Sequence, residues 1–94
     1  MSERHTCAHS ADVTRRLSRI EGQIKGVREM VADGRQCEEL LMQLSAVSAA
    51  VTQAARLILT EHLEHCIAHG FAVGDQEGVL ESLEQAVDQF ARLK

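Results

Sequence analysis

From Cys37 to Cys66 the chain runs for thirty residues, CEELLMQLSAVSAAVTQAARLILTEHLEHC, without a proline or a glycine. Apolar side chains recur at 40, 44, 47, 51, 54/55 and 58, the three-and-four spacing that places them along one face of a helix. This predicts one long helix, around which the remaining residues must be arranged.

Soft and borderline metal donors sit at both ends of that helix, since thiolate and imidazole together suit copper, zinc or nickel. Cys37 opens it, while His62 and Cys66 close it, four apart and so on one face of its last turns. The twenty-five positions from Cys37 to His62 span about 37 Å of straight helix, so one ion cannot touch both ends of the same copy. A second copy running antiparallel would bring its own Cys37 beside the first copy's His62 and Cys66. The crossing point would fall near residue 50, where Ser45-Ala46-Val47-Ser48-Ala49-Ala50 offers small side chains that let two backbones approach. Two-fold symmetry would then generate two identical Cys/His/Cys sites. Three such donors leave a zinc shell incomplete but suffice for trigonal Cu(I).

Ninety-four residues fit a single domain, 1–94, with a modest core and with residues 1–10 as a flexible N-terminal arm. Two phenylalanines, no proline, and abundant Ala, Leu, Glu, Gln and Arg describe an all-α protein that completes its core by oligomerising. Neither a membrane-spanning run nor a signal-peptide segment is present, and the expected location is cytoplasmic, with no membrane partner. In a reducing compartment, three cysteines point to ligands or redox sensing ahead of structural disulfides. The formal charge of −4 is unevenly distributed: residues 1–35 balance at +2 and residues 36–94 at −6. Such asymmetry points to an anionic partner at the basic end.

Between about Asp12 and Asp33, Val13, Leu17, Ile20, Ile24, Val27 and Val31 step by alternating fours and threes, a coiled-coil-like seam on a helix that Ser10 or Asp12 can cap and Gly34 can end. Opposite that seam lie Arg15, Arg19, Gly22 and Gly26, with Arg16 beside them. Charges opposite an apolar stripe are ordinarily a solvated face. The two glycines argue for more, because each costs a helix about 1 kcal/mol relative to alanine and so implies close approach to bare backbone. Gly34-Arg35-Gln36 then forms a turn that sets Cys37 in the first turn of the long helix, where the helix dipole favours thiolate. His65 and His69 lie off the ligand face. Gly70, Gly74 and Gly78 mark a loop over about 70–76, after which Val79, Leu83, Ala86, Phe90 and Leu93 define a third, acidic helix. No HExxH or carboxylate-bridged motif is present, and nothing suggests an enzyme.

The runs Arg16-Leu17-Ser18-Arg19-Ile20-Glu21-Gly22-Gln23-Ile24-Lys25-Gly26-Val27, Gln43-Leu44-Ser45-Ala46-Val47 and Glu61-His62-Leu63-Glu64-His65-Cys66, together with Cys37, resemble the CsoR/RcnR family of bacterial metal-sensing repressors over nearly the whole chain. The resemblance implies a three-helix protomer, antiparallel dimers paired into flat tetramers, and repression through operator DNA that is released when the effector binds. It implies Cys37 of one protomer with His62 and Cys66 of the other as Cu(I) ligands, and Arg15, Arg16, Arg19, Lys25 and Arg56 as the DNA-contacting surface. Copper sensors commonly carry a tyrosine where this chain has Gln36, linked to the ligand histidine through a helix-three glutamate; Glu81 or Glu84 would fill that role here. Many members also carry an arginine where this chain has Ser48, which shifts the expected DNA contacts toward the first helix. The arm holds His5, Cys7 and His9, any one of which could fold back as an extra ligand; His5, thirty-two positions before Cys37, stands at the spacing where nickel-sensing relatives place one, and a His5/Cys37/His62/Cys66 set would suit planar Ni(II). A persulfide or disulfide switch between Cys37 and Cys66 is the further alternative, against which His62 argues.

Overall fold

The computed structural model of the chain describes residues 9–93; His5 and Cys7 lie outside them. The described residues are helical almost throughout: α1 (Ala11–Ala32), α2 (Cys37–Glu61), a π-helical turn (His62–Ile67), α3 (Ala68–Ala72) and α4 (Gln76–Ala91). They contain no strand. The all-α expectation therefore holds, with α2 prolonged through the π-turn and α3 into one helical run that ends six residues beyond Cys66.

The described residues divide into two compact units, one comprising residues 11–54, the other residues 9–10 and 55–93. Within the first, α1 and α2 as far as Ala54 share a core of Ile20, Val27, Val47 and Ala54, with Leu40 and Ala50 packed against it. The seam of α1 is split in two. Val13, Ile20 and Val27, seven apart, are buried, whereas Leu17, Ile24 and Val31, also seven apart, are 45%, 49% and 58% exposed. The apolar positions of α2 divide the same way: Val47 and Ala54 are buried, while Leu44, Val51 and Ile58 are exposed. Each helix thus carries two parallel apolar rows of which its own chain covers one. A row of large aliphatic side chains left in water forfeits about 1.5–3 kcal/mol for each one that burial would have stabilised.

Helix ends are set by local chemistry. At Gly34, with φ of 75°, the N–H groups of Arg35 and Gly34 bond the carbonyls of Met30 and Val31, the paired bonds of a Schellman C-cap that only glycine adopts without strain. The same motif recurs at Gly74, φ 83°, where Asp75 N–H reaches Gly70 O and Gly74 N–H reaches Phe71 O. Asp75 then caps α4 by accepting from Gly78 N–H at 3.0 Å. The break between helices is consequently narrower than the glycines suggested: Gly70 lies inside α3, where the methyl of an alanine would strike Val79 Cγ2, so the glycine there permits close packing against α4.

Candidate metal centre

His62 opens the π-turn and Cys66 falls four residues on, within it. A π-turn inserts an extra residue into the helical ladder, and such insertions are found frequently at functional sites. Both side chains are half-buried and line one small cavity of about 20 Å³ with Gly70, Asp75, Gly78, Val79 and Ser82. The two donors that the spacing placed on one face are thereby brought together, and it is α4 of their own chain that forms the opposite wall.

Ser82 holds the histidine. Its Oγ lies 2.9 Å from His62 Nε2, a bond that fixes the plane of the imidazole. The sequence reading expected a carboxylate there, from Glu81 or Glu84. Both are exposed, and the α4 side chain that bonds the imidazole is the intervening serine, a neutral partner in place of an anion. Counting carboxylates on α4 could not have found it, because the azimuth of α4 against the π-turn selects the residue.

Glu61, last residue of α2, is the other polar side chain near His62 that sequence reasoning passed over. It is buried, and an ionised carboxylate tolerates burial only when donors surround it. Ser10 supplies two, its hydroxyl to Oε2 and its backbone N–H to Oε1 at 3.0 Å, and His9 Nδ1 supplies a third to Oε1 at 2.9 Å. The Ser10 hydroxyl above all, then its N–H, then His9, hold the Glu61 carboxyl down at about 2 against an ordinary 4.5, over the opposing effect of burial. Of Ser10 and Asp12, the two residues the sequence offers as a cap for α1, Ser10 directs its hydroxyl to Glu61 instead. His9 and His62 both line a groove of about 550 Å³ whose remaining walls include Ile58, Ser82, Gln85 and Phe90.

Cys37 occupies the first position of α2, exposed and with a free thiol. Gln36 precedes it, also exposed, and its carbonyl accepts the first helical bond from Leu40 N–H. Among the described residues no three His, Cys, Asp or Glu side chains gather closely enough to hold a metal. His62 and Cys66, the latter disulfide-bonded, thus line one cavity, while the free thiol of Cys37 stands at the other end of α2.

Of the basic residues, Arg15 and Arg16 both reach Asp12, at 3.2 and 3.4 Å. Arg19, Lys25 and Arg56 are exposed. A Cβ added at Gly22 or Gly26 would meet nothing within 4 Å, so the open backbone on α1 is not filled by the chain itself. No described helix is long and apolar enough to cross a membrane.

Comparison with known proteins gives a consistent result. Residues 9–92 match the family model of metal-sensitive transcriptional repressors. The chain is 39% identical over 80 residues to the copper-sensing transcriptional repressor CsoR of Bacillus subtilis, covering 85% of this chain and 79% of that one. Its fold resembles the crystal structure of the copper-sensing repressor CsoR with Cu(I) from Geobacillus thermodenitrificans, with a TM-score of 0.86 and 35% identity over 97% of this chain and 99% of that one. It also resembles the nickel-responsive transcriptional regulator InrS, with a TM-score of 0.79 and 43% identity over 92% and 97% of the two chains.

Proposed function

Because the chain belongs to the family of metal-sensitive transcriptional repressors, a family of regulators and not of enzymes, we propose that it holds operator DNA in the metal-free state and releases it on binding Cu(I). One observation carries the choice of site: His62 and Cys66 face a common cavity beside Ser82, whose Oγ lies 2.9 Å from His62 Nε2. In this reading Cys37 of a partner protomer supplies the third donor. The exposed rows Leu17/Ile24/Val31 and Leu44/Val51/Ile58 supply the apolar surface on which an antiparallel dimer, and from it a tetramer, would close.

Two cysteines and one histidine would hold Cu(I), soft and borderline donors that suit that ion. Everything else falls to the protein. His62 is positioned by Ser82, so a displacement of the imidazole is passed to α4 through that hydrogen bond. Arg15, Arg16, Arg19, Lys25 and Arg56 are the surface we assign to DNA phosphates, and their spacing depends on how protomers are arranged. A shift of that arrangement worth the usual 1–3 kcal/mol of coupling changes operator affinity about 5–150-fold. The whole chain then acts as one sensing and DNA-binding domain in the cytoplasm, where the DNA is.

Ni(II) is the second reading, favoured by the likeness to the nickel-responsive InrS. Anaerobic titration with each metal, read by absorption and by anisotropy of labelled operator DNA, decides between them. We expect Cu(I) to release the DNA from the wild type and to fail with Cys37→Ala or His62→Ala. Release that survives both substitutions removes the assigned donors.

A further inference from the structure

Glu61 is joined to His62 by the chain and to the two residues ahead of α1 by hydrogen bonds. It ends α2, and His62 opens the π-turn directly after it. Its buried carboxylate accepts the Ser10 hydroxyl at Oε2, the Ser10 backbone N–H at Oε1 at 3.0 Å, and His9 Nδ1 at Oε1 at 2.9 Å. The N–H matters most, because through it the main chain itself is gripped. Ser10 is covalently next to Ala11, where α1 begins, and Asp12 in that first turn receives Arg15 and Arg16 at 3.2 and 3.4 Å. A serine at this place could have capped α1 with its hydroxyl. Directed to Glu61 instead, it ties the entry of one helix to the end of another. Bonds to an ionised acceptor are stronger than neutral ones, and a buried carboxylate that turned away from its donors would be left as an unpaired charge. Ser10 and His9 therefore follow Glu61 when it moves. Consecutive residues of a helix point about 100° apart, so His62 and the clamp occupy adjacent faces of one turn. Rotation of that turn carries both.

We propose that Glu61 is the positioning residue that links the metal centre to the start of α1. Ion binding at His62 turns the end of α2, the clamped Ser10 and His9 follow, and the first turn of α1 shifts with Asp12 and the arginines that Asp12 holds. The proposal rests on the donors and the DNA surface assigned above. It adds to the rearrangement of protomers a route that lies within a single chain. Glu61 touches neither ion nor DNA; it acts through the backbone of Ser10.

The test uses the full-length protein with its Cys66 disulfide reduced, as wild type, Glu61→Gln, Ser10→Ala, Ser10→Thr and the double variant Glu61→Gln/Ser10→Ala. Two readouts are taken: the backbone amide signals of residues 10–13 on Cu(I) loading without DNA, and the anisotropy of labelled operator with and without Cu(I). In the wild type, Cu(I) should shift those amides and weaken operator binding by the about 5–150-fold of ordinary coupling. Glu61→Gln and Ser10→Ala should each keep Cu(I) affinity and metal-free operator affinity within about threefold, lose most of the amide response, and cut the release ratio by about fivefold or more. Ser10→Thr, which keeps the hydroxyl, should restore release, a rescue that general loosening of the helix end would not give. Because both substitutions break one clamp, the double variant should release no worse than the weaker single one. Wild-type release and amide response in Glu61→Gln overturn the proposal and leave the reading of function standing. Additive losses in the double variant overturn it as well, since two separate routes would then be at work. A wild type whose operator affinity Cu(I) does not change overturns the reading and the proposal together. Ser10→Ala, which removes a single side-chain bond, keeps the test open should circular dichroism show that Glu61→Gln fails to fold.

Discussion

The two units of this protein are built on opposite principles. Residues 11–54 form a hairpin of α1 with the first turns of α2, and its interior is entirely aliphatic: Ile20, Val27, Val47 and Ala54 at heptad spacing. The second unit has few fully buried apolar side chains, Ile67 and Val79 among them, and is held also by polar bonds, His62 to Ser82, Glu61 to His9 and Ser10, and Asp75 to Gly78. Aliphatic packing is non-directional and tolerates many sequences, so it serves where only stability is needed. Hydrogen bonds fix orientation, and the donors of a metal need orientation. The contrast separates a unit held by aliphatic packing from one held also by directed polar bonds.

Breaking the aliphatic side of the contrast should have the largest effect. Ile20→Ala deletes a core side chain and is expected to cost about 2–4 kcal/mol in chemical denaturation. Ile24→Ala, four positions on in the exposed row, should change the intrinsic stability of a chain little and instead weaken self-association, seen as a concentration-dependent shift toward smaller species in sedimentation. Equal effects of the two substitutions on stability and on assembly would erase the distinction between the rows. Gly70→Ala, which drives a methyl into Val79, should cost about 1–3 kcal/mol, with wild-type behaviour regained in part by Gly70→Ala/Val79→Ala.

On the polar side, Ser82→Ala should leave helicity intact yet lower metal affinity about 10–100-fold, with Ser82→Thr restoring most of it. If Glu81→Ala or Glu84→Ala has the larger effect, the carboxylate expected from the sequence is the true partner. Glu61 gives a pH test whose sign is fixed. Its folded carboxyl at about 2 lies below the ordinary 4.5, so its stabilising contribution is present above the ordinary value and is lost as pH falls from about 4.5 toward about 2. Urea midpoints of Glu61→Gln should therefore fall less steeply than those of the wild type across that window. The smallest effect is reserved for Gly22→Ala, which should stabilise the protein by about 0.5–1 kcal/mol because the added methyl meets nothing, while weakening operator binding if α1 presents bare backbone to DNA.

Much of this architecture was legible before any coordinates. The three-and-four spacing of Val13 to Val31 and the glycine-free run from Cys37 define helices by periodicity alone, and Gly34 stops α1 because its left-handed φ excludes other residues. The pairing of His62 with Cys66 was equally plain, since residues four apart share a helix face. Periodicity could not say which of two apolar rows on α1 a single chain covers, because both obey the same heptad; that depends on the side from which α2 approaches. Nor could it foresee the π-turn, which no proline or glycine announces.

What the sequence by itself determined is therefore everything carried by spacing along one helix: the helices, most of their ends, the shared face of His62 and Cys66, and the charge asymmetry. What only the tertiary structure decided is which residues meet across elements separated by 20 to 52 positions: Ser82 at His62 in place of a glutamate, and His9 with Ser10 at Glu61. The physical reason is one of range. Helical geometry converts sequence distance directly into spatial direction within a few turns, whereas a contact between elements depends on the packing angle and on helix rotation, to which many distant side chains contribute at once.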